Sequence, residues 1–445
     1  MYLSYGGEYF MRIVFFSGYA ISHLIPLKST ISYLKDMGFD IYLFGTEKNK
    51  WFGKKLNVNY INYPDNYWKP VLSNEATKLN KDIEKYYHEK NYVSMMKYIL
   101  KKDAMLAFNH NENVINTLKS EIYNISPEVV YRDSTDIYWS ILKKDFSNIK
   151  TIGYITNNLY NWNYLFSHMK NFSYFLGIND IQDKLPSHFL YSFKRNIDNI
   201  YKEIQNEYST YPLRAYYQYD PDEDFNLIYS SKYIQPNDCY DVSKYFIVEP
   251  DNKEMCIENY IEKNLIDFLK DSETIYISTG SFISRDMNFY ILIIKMLKDI
   301  GNYKIVISAG KNYEKLFSFI KENNEENDIY VSSFIPQKYI LKNNCRLFIN
   351  SGGINSIKES IYFGVPMFII PISCEQRLNG LLLEEFGIGY TSYGPNNRLI
   401  DLKKNLEELI SSNEIKSNLK KLQLLLHREN NIITFKKMLD YINKK

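Results

Sequence analysis

The chain has 445 residues, with 54 basic and 52 acidic side chains, so its formal net charge is only +2. Because domains typically contain about 100–200 residues, this length predicts two or three domains. Hydrophobic residues make up 45% and charged residues 24%, which excludes a wholly disordered chain. The near balance of charge gives no electrostatic reason to expect nucleic acid as a partner.

Cysteine, histidine and apolar patterns exclude further classes of protein. The 4 cysteines lack CxxC spacing and cannot staple a chain of this length, so we expect a reducing, cytoplasmic environment. The 6 histidines are scattered and show no zinc signature. No apolar run approaches the roughly 20 residues needed to span a bilayer. Residues 1–10 lack the pattern of a signal peptide, and we interpret them as an extension or an upstream start.

The first half of the chain begins as a strand–helix–strand unit. Arg12–Phe16 and Ile41–Phe44 are compact apolar runs, and the residues between them are apolar at helical spacing, with Gly38 as a stop. Such a unit within about 30 residues predicts a parallel, doubly wound sheet. Further strands are predicted at 127–131 and 151–156.

The second half repeats the alternation of strands and helices after a turn-rich linker at 246–253. Strands are predicted at 274–278, 304–308, 330–334, 346–349 and 367–371, with helices at 286–300 and 355–362. Residues 401–445 alternate Leu and Ile with Lys and Glu, which is typical of surface helices. The predicted units are an N-terminal domain (1–245), a C-terminal domain (254–410) and C-terminal helices (411–445) that pack back toward the N-terminal domain.

Two turns of small residues follow strands of the second half, and ligands of open α/β sheets bind at such strand ends. One turn spans residues 350–356, and the other spans residues 278–281. Adjacent glycines let a phosphate approach the backbone, and the amides at a helix start attract anions. Each turn is equally explained as an ordinary tight turn, so both interpretations stay open here. The candidate anion-binding residues are Ser281, Ser351, Gly352, Gly353, Asn355 and Ser356.

The first half offers a candidate general base. His23 is predicted at the start of the first helix, where the positive end of the helix favours the neutral imidazole. A general base needs an orienting group on its other ring nitrogen. Asp133 follows the predicted strand at 127–131, and Asp136 lies one short loop away. The alternative is a helix-start histidine that bonds only to its neighbours.

The motifs of the two halves fit together. The matching segments are Ser22-His23-Leu24-Ile25-Pro26, residues 226–231, Tyr276–Phe282, Ser333–Gln337, Phe348–Pro371 and Glu375-Gln376, with Asn379 three residues later. They resemble the UDP-dependent glycosyltransferases of family 1, especially the bacterial branch that includes the macrolide glycosyltransferases. The resemblance is sparse in the first half and dense over 225–390. It implies the GT-B fold, in which two Rossmann-like, doubly wound domains face each other across a cleft.

The resemblance also implies a role for each matching residue. His23 would be the base that deprotonates an acceptor hydroxyl, with Asp133 as its partner. In the C-terminal half, Phe334 would stack on uracil, Gln337 would lie near the nucleotide, and Glu359 would hold the ribose hydroxyls. Ser281, Asn355, Ser356 and the Gly352-Gly353 turn would bind the phosphates, and Glu375 and Gln376 would bind the sugar hydroxyls.

These roles describe a UDP-sugar-dependent hexosyltransferase. Direct displacement assisted by one base predicts inversion at the anomeric carbon. Amide dipoles at a helix start would stabilise the departing UDP, so neither a metal ion nor another cofactor is expected. The expected donor is UDP-glucose or a similar UDP-sugar. The acceptor would lie against the tyrosine-rich region 60–225, which favours a small apolar or aromatic molecule with a free hydroxyl.

The sequence departs from the family pattern at two positions. Ser351 stands where the family has His, and losing a hydrogen bond to a charged group costs about 1.5–3 kcal/mol, so weaker donor binding is expected. Ser22 stands in place of Gly.

Two rival functions stay open. One is a catalytically silent partner that binds UDP-sugar, and the other is a UDP-sugar epimerase, for which only Glu375 offers a carboxylate beside the sugar. Asp220-Pro221-Asp222 resembles a metal-binding Asp-x-Asp, but its polar-aromatic surroundings favour a solvated acidic loop.

Overall fold

A computed structural model describes most of the chain outside its tyrosine-rich middle. The described residues are 11–65, 67, 112–136, 138–168, 171, 195, 199, 220–238, 240–251, 254–255, 261–270, 272–280, 285–372, 374–392 and 399–444. Residues 1–10 and most of the proposed acceptor region at 60–225 therefore lie outside them.

In the described part of the N-terminal half, the strands form one parallel sheet. They are β1 (Arg12–Phe16), β2 (Asp40–Gly45), β3 (Asn59–Asn62), β4 (Val129–Asp133), β5 (Lys150–Ile155), β6 (Phe225–Ile228) and β7 (Tyr245–Ile247). Their order in space is β3-β2-β1-β4-β5-β6-β7. The helices are α1 (Ile21–Leu24), α2 (Lys28–Asp36), α3 (Lys50–Leu56), α4 (Glu112–Ile125), α5 (Tyr138–Leu142) and α6 (Trp162–Ser167), with single 3-10 turns at Ile25–Leu27 and Glu47–Asn49.

Helices cover both faces of this sheet, which explains the unbroken apolar run of β1. Ile13 and Phe15 pack on the face covered by α2, whereas Val14 and Phe16 pack on the face covered by α4. All four side chains are buried. A parallel sheet covered on both faces requires continuous rather than alternating apolar strands.

The C-terminal half contains a second parallel sheet. Its described strands are β8 (Thr274–Ser278), β9 (Lys304–Ser308), β10 (Ile329–Ser332), β11 (Cys345–Asn350), β12 (Met367–Ile369) and β13 (Gly389–Thr391). Their order is β10-β9-β8-β11-β12-β13. The helices are α7 (Lys263–Leu269), α8 (Met287–Lys298), α9 (Tyr313–Glu322), α10 (Gln337–Lys342), α11 (Ile354–Phe363), α12 (Cys374–Glu385), α13 (Leu399–Ser411), α14 (Asn413–Leu426) and α15 (Ile432–Asn443), with a 3-10 turn at Gly310–Asn312.

The strand orders place the candidate site. In each sheet the winding reverses between two neighbouring strands, β1 and β4 in one and β8 and β11 in the other. The carboxyl ends of such strands flank a crevice that binds ligands in open α/β sheets. His23 and Asp133 lie at the first reversal, and both small-residue turns follow the strands of the second.

Several boundaries differ from the sequence predictions for local reasons. The first helix is interrupted at Ile25–Leu27, where Pro26 cannot donate a backbone hydrogen bond. The strand predicted at 127–131 lies at Val129–Asp133, so Asp133 is its last residue rather than the residue beyond it. Strands β3, β6 and β13 are short and were not predicted.

The connection between the two sheets begins later than predicted. β7 pairs with β6, so residues 246 and 247 of the predicted linker belong to the N-terminal sheet. At the other end of the chain, α15 packs Phe435, Met438 and Ile442 into the core of the N-terminal sheet. The chain therefore crosses between the two halves twice.

Candidate active site

His23 and Asp133 are brought together by the two central strands of the N-terminal sheet. His23 Nδ1 lies 2.8 Å from Asp133 Oδ2, although the residues are 110 positions apart in the sequence. The Asp133 carboxylate is fully buried, whereas the imidazole is 25% exposed. The other carboxylate oxygen of Asp133, Oδ1, accepts hydrogen bonds from the backbone amide (2.8 Å) and the hydroxyl (2.6 Å) of Thr135. A buried carboxylate on one ring nitrogen leaves Nε2 as the nitrogen available to a substrate proton.

Two further residues fix the position of the imidazole. Thr156, just past β5, places Oγ1 3.2 Å from His23 Nδ1. Gly18 lies against the ring, because a Cβ built there would come within 2.6 Å of His23 Cγ. Glycine is therefore required at position 18 by close approach, and no feature of the sequence identified either contact in advance.

The electrostatics of His23 differ from the sequence expectation. Burial lowers the pKa of His23, but the charge and hydrogen bond of Asp133 raise it more, with Glu375 adding to the rise, so this pKa lies above 6.5. His23 lies in the single turn of the four-residue helix α1, as predicted, but its raised pKa contradicts the expected preference for the neutral imidazole. For Asp133, burial raises the pKa, but His23 and Thr135 outweigh it and bring the pKa below 3.8.

Asp136, the alternative partner of His23, belongs to a different network. Its carboxylate accepts hydrogen bonds from the Tyr67 hydroxyl and, at 2.9 Å, from the Trp139 amide. Burial raises the pKa of Asp136 to about 6 despite these bonds and the nearby Arg132. Asp136 therefore stabilises the loop between β4 and α5, and Asp133 is the carboxylate that contacts His23.

In the C-terminal sheet, both glycine turns border open space. Gly280 follows β8 with φ +87°, and Gly353 precedes α11; a Cβ at either position would meet no atom within 4 Å. Gly352 differs, because its φ is +86° and its Cβ would come within 2.8 Å of Ile369 and 3.0 Å of the Gln376 carbonyl. Gly352 therefore shapes the turn, whereas Gly353 and Gly280 leave room for a ligand. Ser281 lies outside the described residues.

Polar side chains of the turn at residues 350–356 form more hydrogen bonds within the protein than the sequence suggested. The Ser351 hydroxyl is buried and donates to the Thr279 carbonyl at 2.9 Å, so it joins the two turns instead of facing the opening. Asn350 Oδ1 accepts the Gly352 amide at 2.7 Å and holds the turn tight. Asn355 Nδ2 donates to the carbonyl of Ser22 at 2.8 Å, directly beside His23 in the sequence.

The candidate nucleotide residues cluster around the start of α10. Gln337 Nε2 lies 2.7 Å from Glu359 Oε2 and 3.3 Å from Ser356 Oγ. Burial raises the pKa of Glu359, which the nearby Lys338 ammonium opposes. Phe334, in the loop after β10, is 70% exposed. The cluster thus combines a carboxylate, an amide and an unburied aromatic ring.

The candidate sugar residues occupy the first turn of α12. Glu375 and Gln376 are partly buried there, and Gln376 Oε1 accepts the Ile372 amide at 2.8 Å. The charge of Glu375 acts on the pKa of His23, which places the acidic residue of one half near the base of the other. One turn later, buried Asn379 contacts both halves of the chain.

The Asp220-Pro221-Asp222 segment does not join this site. It precedes β6 and therefore lies at the opposite edge of the sheet from His23. Asp220 accepts hydrogen bonds from the Tyr245 hydroxyl (2.6 Å) and the Asp222 amide (3.0 Å).

Within the described residues, no helix is long and apolar enough to cross a membrane.

Comparison with known proteins shows that part of the chain is similar to glycosyltransferases. Residues 265–437 match the family described as UDP-glucoronosyl and UDP-glucosyl transferase. The UDP-glucosyltransferase YdhE of Bacillus subtilis, itself uncharacterised, is 26% identical over 205 residues, which are 45% of this chain and 48% of that protein. The ecdysteroid UDP-glucosyltransferase of Spodoptera littoralis nuclear polyhedrosis virus is 31% identical over 139 residues, 30% of this chain and 26% of that protein. The matches thus span about half the length of these curated relatives or less.

Solved structures match over nearly the whole chain. The glycotransferase of kitacinnamycin has a TM-score of 0.67 at 14% identity and covers 98% of this chain and 99% of its own. UDP-glucose: anthocyanidin 3-O-glucosyltransferase in complex with UDP has a TM-score of 0.66 at 15% identity and covers 99% and 100%. At these identities the matches define the fold. The chain has the GT-B fold, and its residues 265–437 are similar to the UDP-dependent glycosyltransferases of family 1.

Proposed function

We propose that the protein is an inverting glycosyltransferase that moves a sugar from a UDP-sugar to a hydroxyl group of a small acceptor. The observation that carries the proposal is the approach of two sites. The backbone carbonyl of Ser22, next to the His23–Asp133 pair, is 2.8 Å from the side-chain nitrogen of Asn355 on α11, the helix that follows the Gly352-Gly353 turn. A base and an anion-binding turn are needed on either side of the anomeric carbon.

His23 is proposed as the base on the acceptor side. An acceptor hydroxyl is a poor nucleophile until its proton leaves, and His23 Nε2 makes no hydrogen bond to any described residue. Asp133 holds Nδ1, fixes the tautomer and stabilises the imidazolium that forms. Attack assisted by a single base on the face opposite UDP inverts the anomeric carbon.

The turn before α11 is proposed to receive the diphosphate. Gly353 lies at the start of a ten-residue helix, and a Cβ built on it would meet no atom within 4 Å. A phosphate in that space would accept a hydrogen bond from the Gly353 amide as charge develops on the leaving group. Asn355 and Ser356 lie in the first turn of the same helix. These donors supply the stabilisation for which some transferases use a metal ion.

The cluster around α10 is proposed to hold the nucleoside. Phe334 offers an exposed face for the uracil, and stacking on an aromatic ring is worth about 1–3 kcal/mol per base in nucleic acid complexes. Glu359, braced by Gln337, is positioned to accept hydrogen bonds from ribose hydroxyls. A neighbour of the same fold, the glycosyltransferase VinC, was solved with dTDP, whose sugar lacks the 2′-hydroxyl. We therefore propose that Glu359 favours UDP over dTDP.

The acceptor is proposed to be an apolar or aromatic molecule with a free hydroxyl. Tyrosines are abundant in residues 60–225, the part of the chain proposed to hold the acceptor. A partly polar aromatic wall suits such molecules. The cysteine pattern supports a cytoplasmic location, where UDP-sugars are available in reducing conditions.

A nucleotide-sugar screen tests this proposal. Thermal-shift measurements with UDP, dTDP, UDP-glucose and UDP-N-acetylglucosamine should show stabilisation by the uridine compounds and less by dTDP. Mass spectrometry with a panel of phenolic and macrolide acceptors should then detect a hexose added to a hydroxyl. An epimerised UDP-sugar formed without acceptor would contradict the proposal in favour of an epimerase. Donor binding with neither hydrolysis nor transfer would instead support a catalytically silent partner.

A further inference from the structure

Asn379 of α12 lies at the boundary between the two halves and is 1% exposed. Its Nδ2 donates to the Gly352 carbonyl at 2.9 Å and to Asn157 Oδ1 at 3.3 Å. Its Oδ1 accepts from the Tyr160 hydroxyl at 2.7 Å and from Asn158 Nδ2 at 3.3 Å. Every hydrogen-bonding position of this side-chain amide is therefore used.

The direction of the Asn379 amide follows from its partners. A backbone carbonyl only accepts hydrogen bonds, so the nitrogen of Asn379 must face Gly352 and its oxygen must face Tyr160. Asn158 is anchored in turn, because its Oδ1 accepts from Ser230 and its Nδ2 also donates to the Ile234 carbonyl at 3.1 Å. The network therefore fixes the Asn379 side chain from the N-terminal side.

The bond to the Gly352 carbonyl sets the direction of the next amide. In a trans peptide, the carbonyl of one residue and the N–H of the next point in opposite directions, and no described peptide bond is cis. Holding the Gly352 carbonyl toward Asn379 therefore aims the Gly353 N–H away from Asn379. Gly353 is the residue that borders open space at the start of α11. With φ +86°, Gly352 lacks the steric restriction that would otherwise keep its peptide units in place.

We propose that Asn379 is a positioning residue that keeps the Gly353 amide aimed at the diphosphate of the donor. The inference rests on the proposed function and adds a residue that touches neither nucleotide nor sugar. Asn379 acts through the Gly352-Gly353 peptide. When Asn379 is removed, this peptide can rotate, and the phosphate then loses a prearranged donor. The nucleoside cluster around Phe334 and Glu359 does not depend on this peptide.

The test compares two ligands that differ only in the diphosphate. Isothermal titration of the full chain with UDP and with uridine gives the affinity gained from the phosphates. In Asn379→Ala, we expect UDP affinity to fall about 10- to 100-fold, which corresponds to one hydrogen bond to a charged group. Uridine affinity should stay within about threefold. A general loss of structure would weaken both ligands alike.

Three further variants keep the result interpretable. Asn379→Ser leaves a polar group for the buried neighbours but is too short to reach the Gly352 carbonyl, so it tests the same point if Asn379→Ala fails to fold. Tyr160→Phe removes one bond to Asn379 Oδ1 and spares both bonds of its nitrogen, so UDP affinity should stay within about threefold. Asn226→Ala removes another buried amide, bonded to Glu223 at the opposite edge of the N-terminal sheet, and should leave the ratio of UDP to uridine affinity unchanged.

Three outcomes overturn the inference. The first is an equal loss of UDP and uridine affinity in the Asn379 variants, and the second is unchanged UDP affinity in folded Asn379→Ala. The third is a loss of UDP affinity in Tyr160→Phe as large as in Asn379→Ala, because the Gly352 contact would then not be the cause. Failure of the proposed function is distinct: the unmodified chain would bind neither UDP nor uridine and would transfer no sugar.

Discussion

His23 illustrates how opposing local effects set the state of a single side chain. Burial alone would favour the neutral imidazole that a base requires, but the buried Asp133 carboxylate favours the imidazolium more strongly. The same carboxylate prepares the proton acceptor and stabilises it after proton transfer. The cost is a base that becomes protonated at a higher pH than a free histidine.

This balance predicts the pH dependence of transfer. Because the pKa of His23 is raised above 6.5, kcat/KM should fall as the pH drops through that raised value. In Asp133→Asn the raising charge is gone and the lowering effect of burial persists, so the acidic limb of the profile should move to lower pH while the maximal rate decreases. Initial rates of UDP release between pH 5 and 9 measure both. A limb that stays in place in Asp133→Asn would show that another group titrates.

At the scale of elements, the two glycines of one turn have different tasks. Gly352 is constrained by a positive φ and by contacts with Ile369 and Gln376, whereas Gly353 has an ordinary φ of −65° and an open flank. In the sequence the two residues cannot be distinguished, because both are glycine. Only the backbone separates the glycine that builds the turn from the glycine that leaves space beside it.

A pair of alanine variants tests this division. Gly352→Ala should destabilise the fold by about 1–3 kcal/mol, because the left-handed backbone and the contact with Ile369 both disfavour a Cβ. Gly353→Ala should leave the melting temperature nearly unchanged but weaken UDP binding tenfold or more, because its methyl group occupies the proposed phosphate space. Differential scanning calorimetry and UDP titration of both variants separate the two effects. The reverse assignment of effects would contradict the turn geometry.

The sequence predicted the elements that a strong local signal defines. Apolar runs such as Arg12–Phe16 and Lys304–Ser308 were placed to the residue, because strands covered on both faces must be apolar throughout. Strands β3 and β13 were missed, because Asn59–Asn62 and Gly389–Thr391 contain polar residues or glycine and lie at the sheet edges. An edge strand exposes one flank and needs less apolar surface.

Contacts across the whole molecule were the least predictable part of the site. The pairing of His23 with Asp133 followed from equivalent strand ends, but the bonds from Asn355 and Asn379 to the opposite half depend on how two sheets approach each other. No local pattern encodes that approach. Ser351 shows the same limit, since its bond to Thr279 requires the ends of β8 and β11 to be neighbours.

A buried ion pair also joins the halves. Lys358 on α11 is fully buried, and its ammonium lies 2.8 Å from Glu254 Oε1 and 3.3 Å from the Tyr229 carbonyl that follows β6. Lys358 precedes Glu359, the proposed ribose ligand, so this pair ties the nucleotide helix to the connection between the sheets. Charges buried this deeply depend on each other, since either one alone lacks compensation.

Removing one partner of the pair should therefore lower the free energy of unfolding by more than the intact pair contributes to it. Lys358→Met should lower the free energy of unfolding by about 3–5 kcal/mol, because Glu254 is left buried and unpaired. The double variant Lys358→Met/Glu254→Gln should recover most of that loss. Lys270→Met, in an exposed pair with Asp267, is the control and should change stability by less than about 1 kcal/mol. Chemical denaturation measures all three; a double variant no more stable than Lys358→Met would contradict the pairing.

The central claim is that His23 is the base of a UDP-sugar transfer, and one comparison tests it most directly. UDP release from UDP-glucose, with an acceptor present, is measured for the unmodified chain and for His23→Ala at donor concentrations that saturate both. The proposed mechanism predicts a 10²–10⁴-fold lower turnover in His23→Ala, the usual contribution of a general base, with UDP affinity unchanged. Transfer by His23→Ala at the rate of the unmodified chain would contradict it.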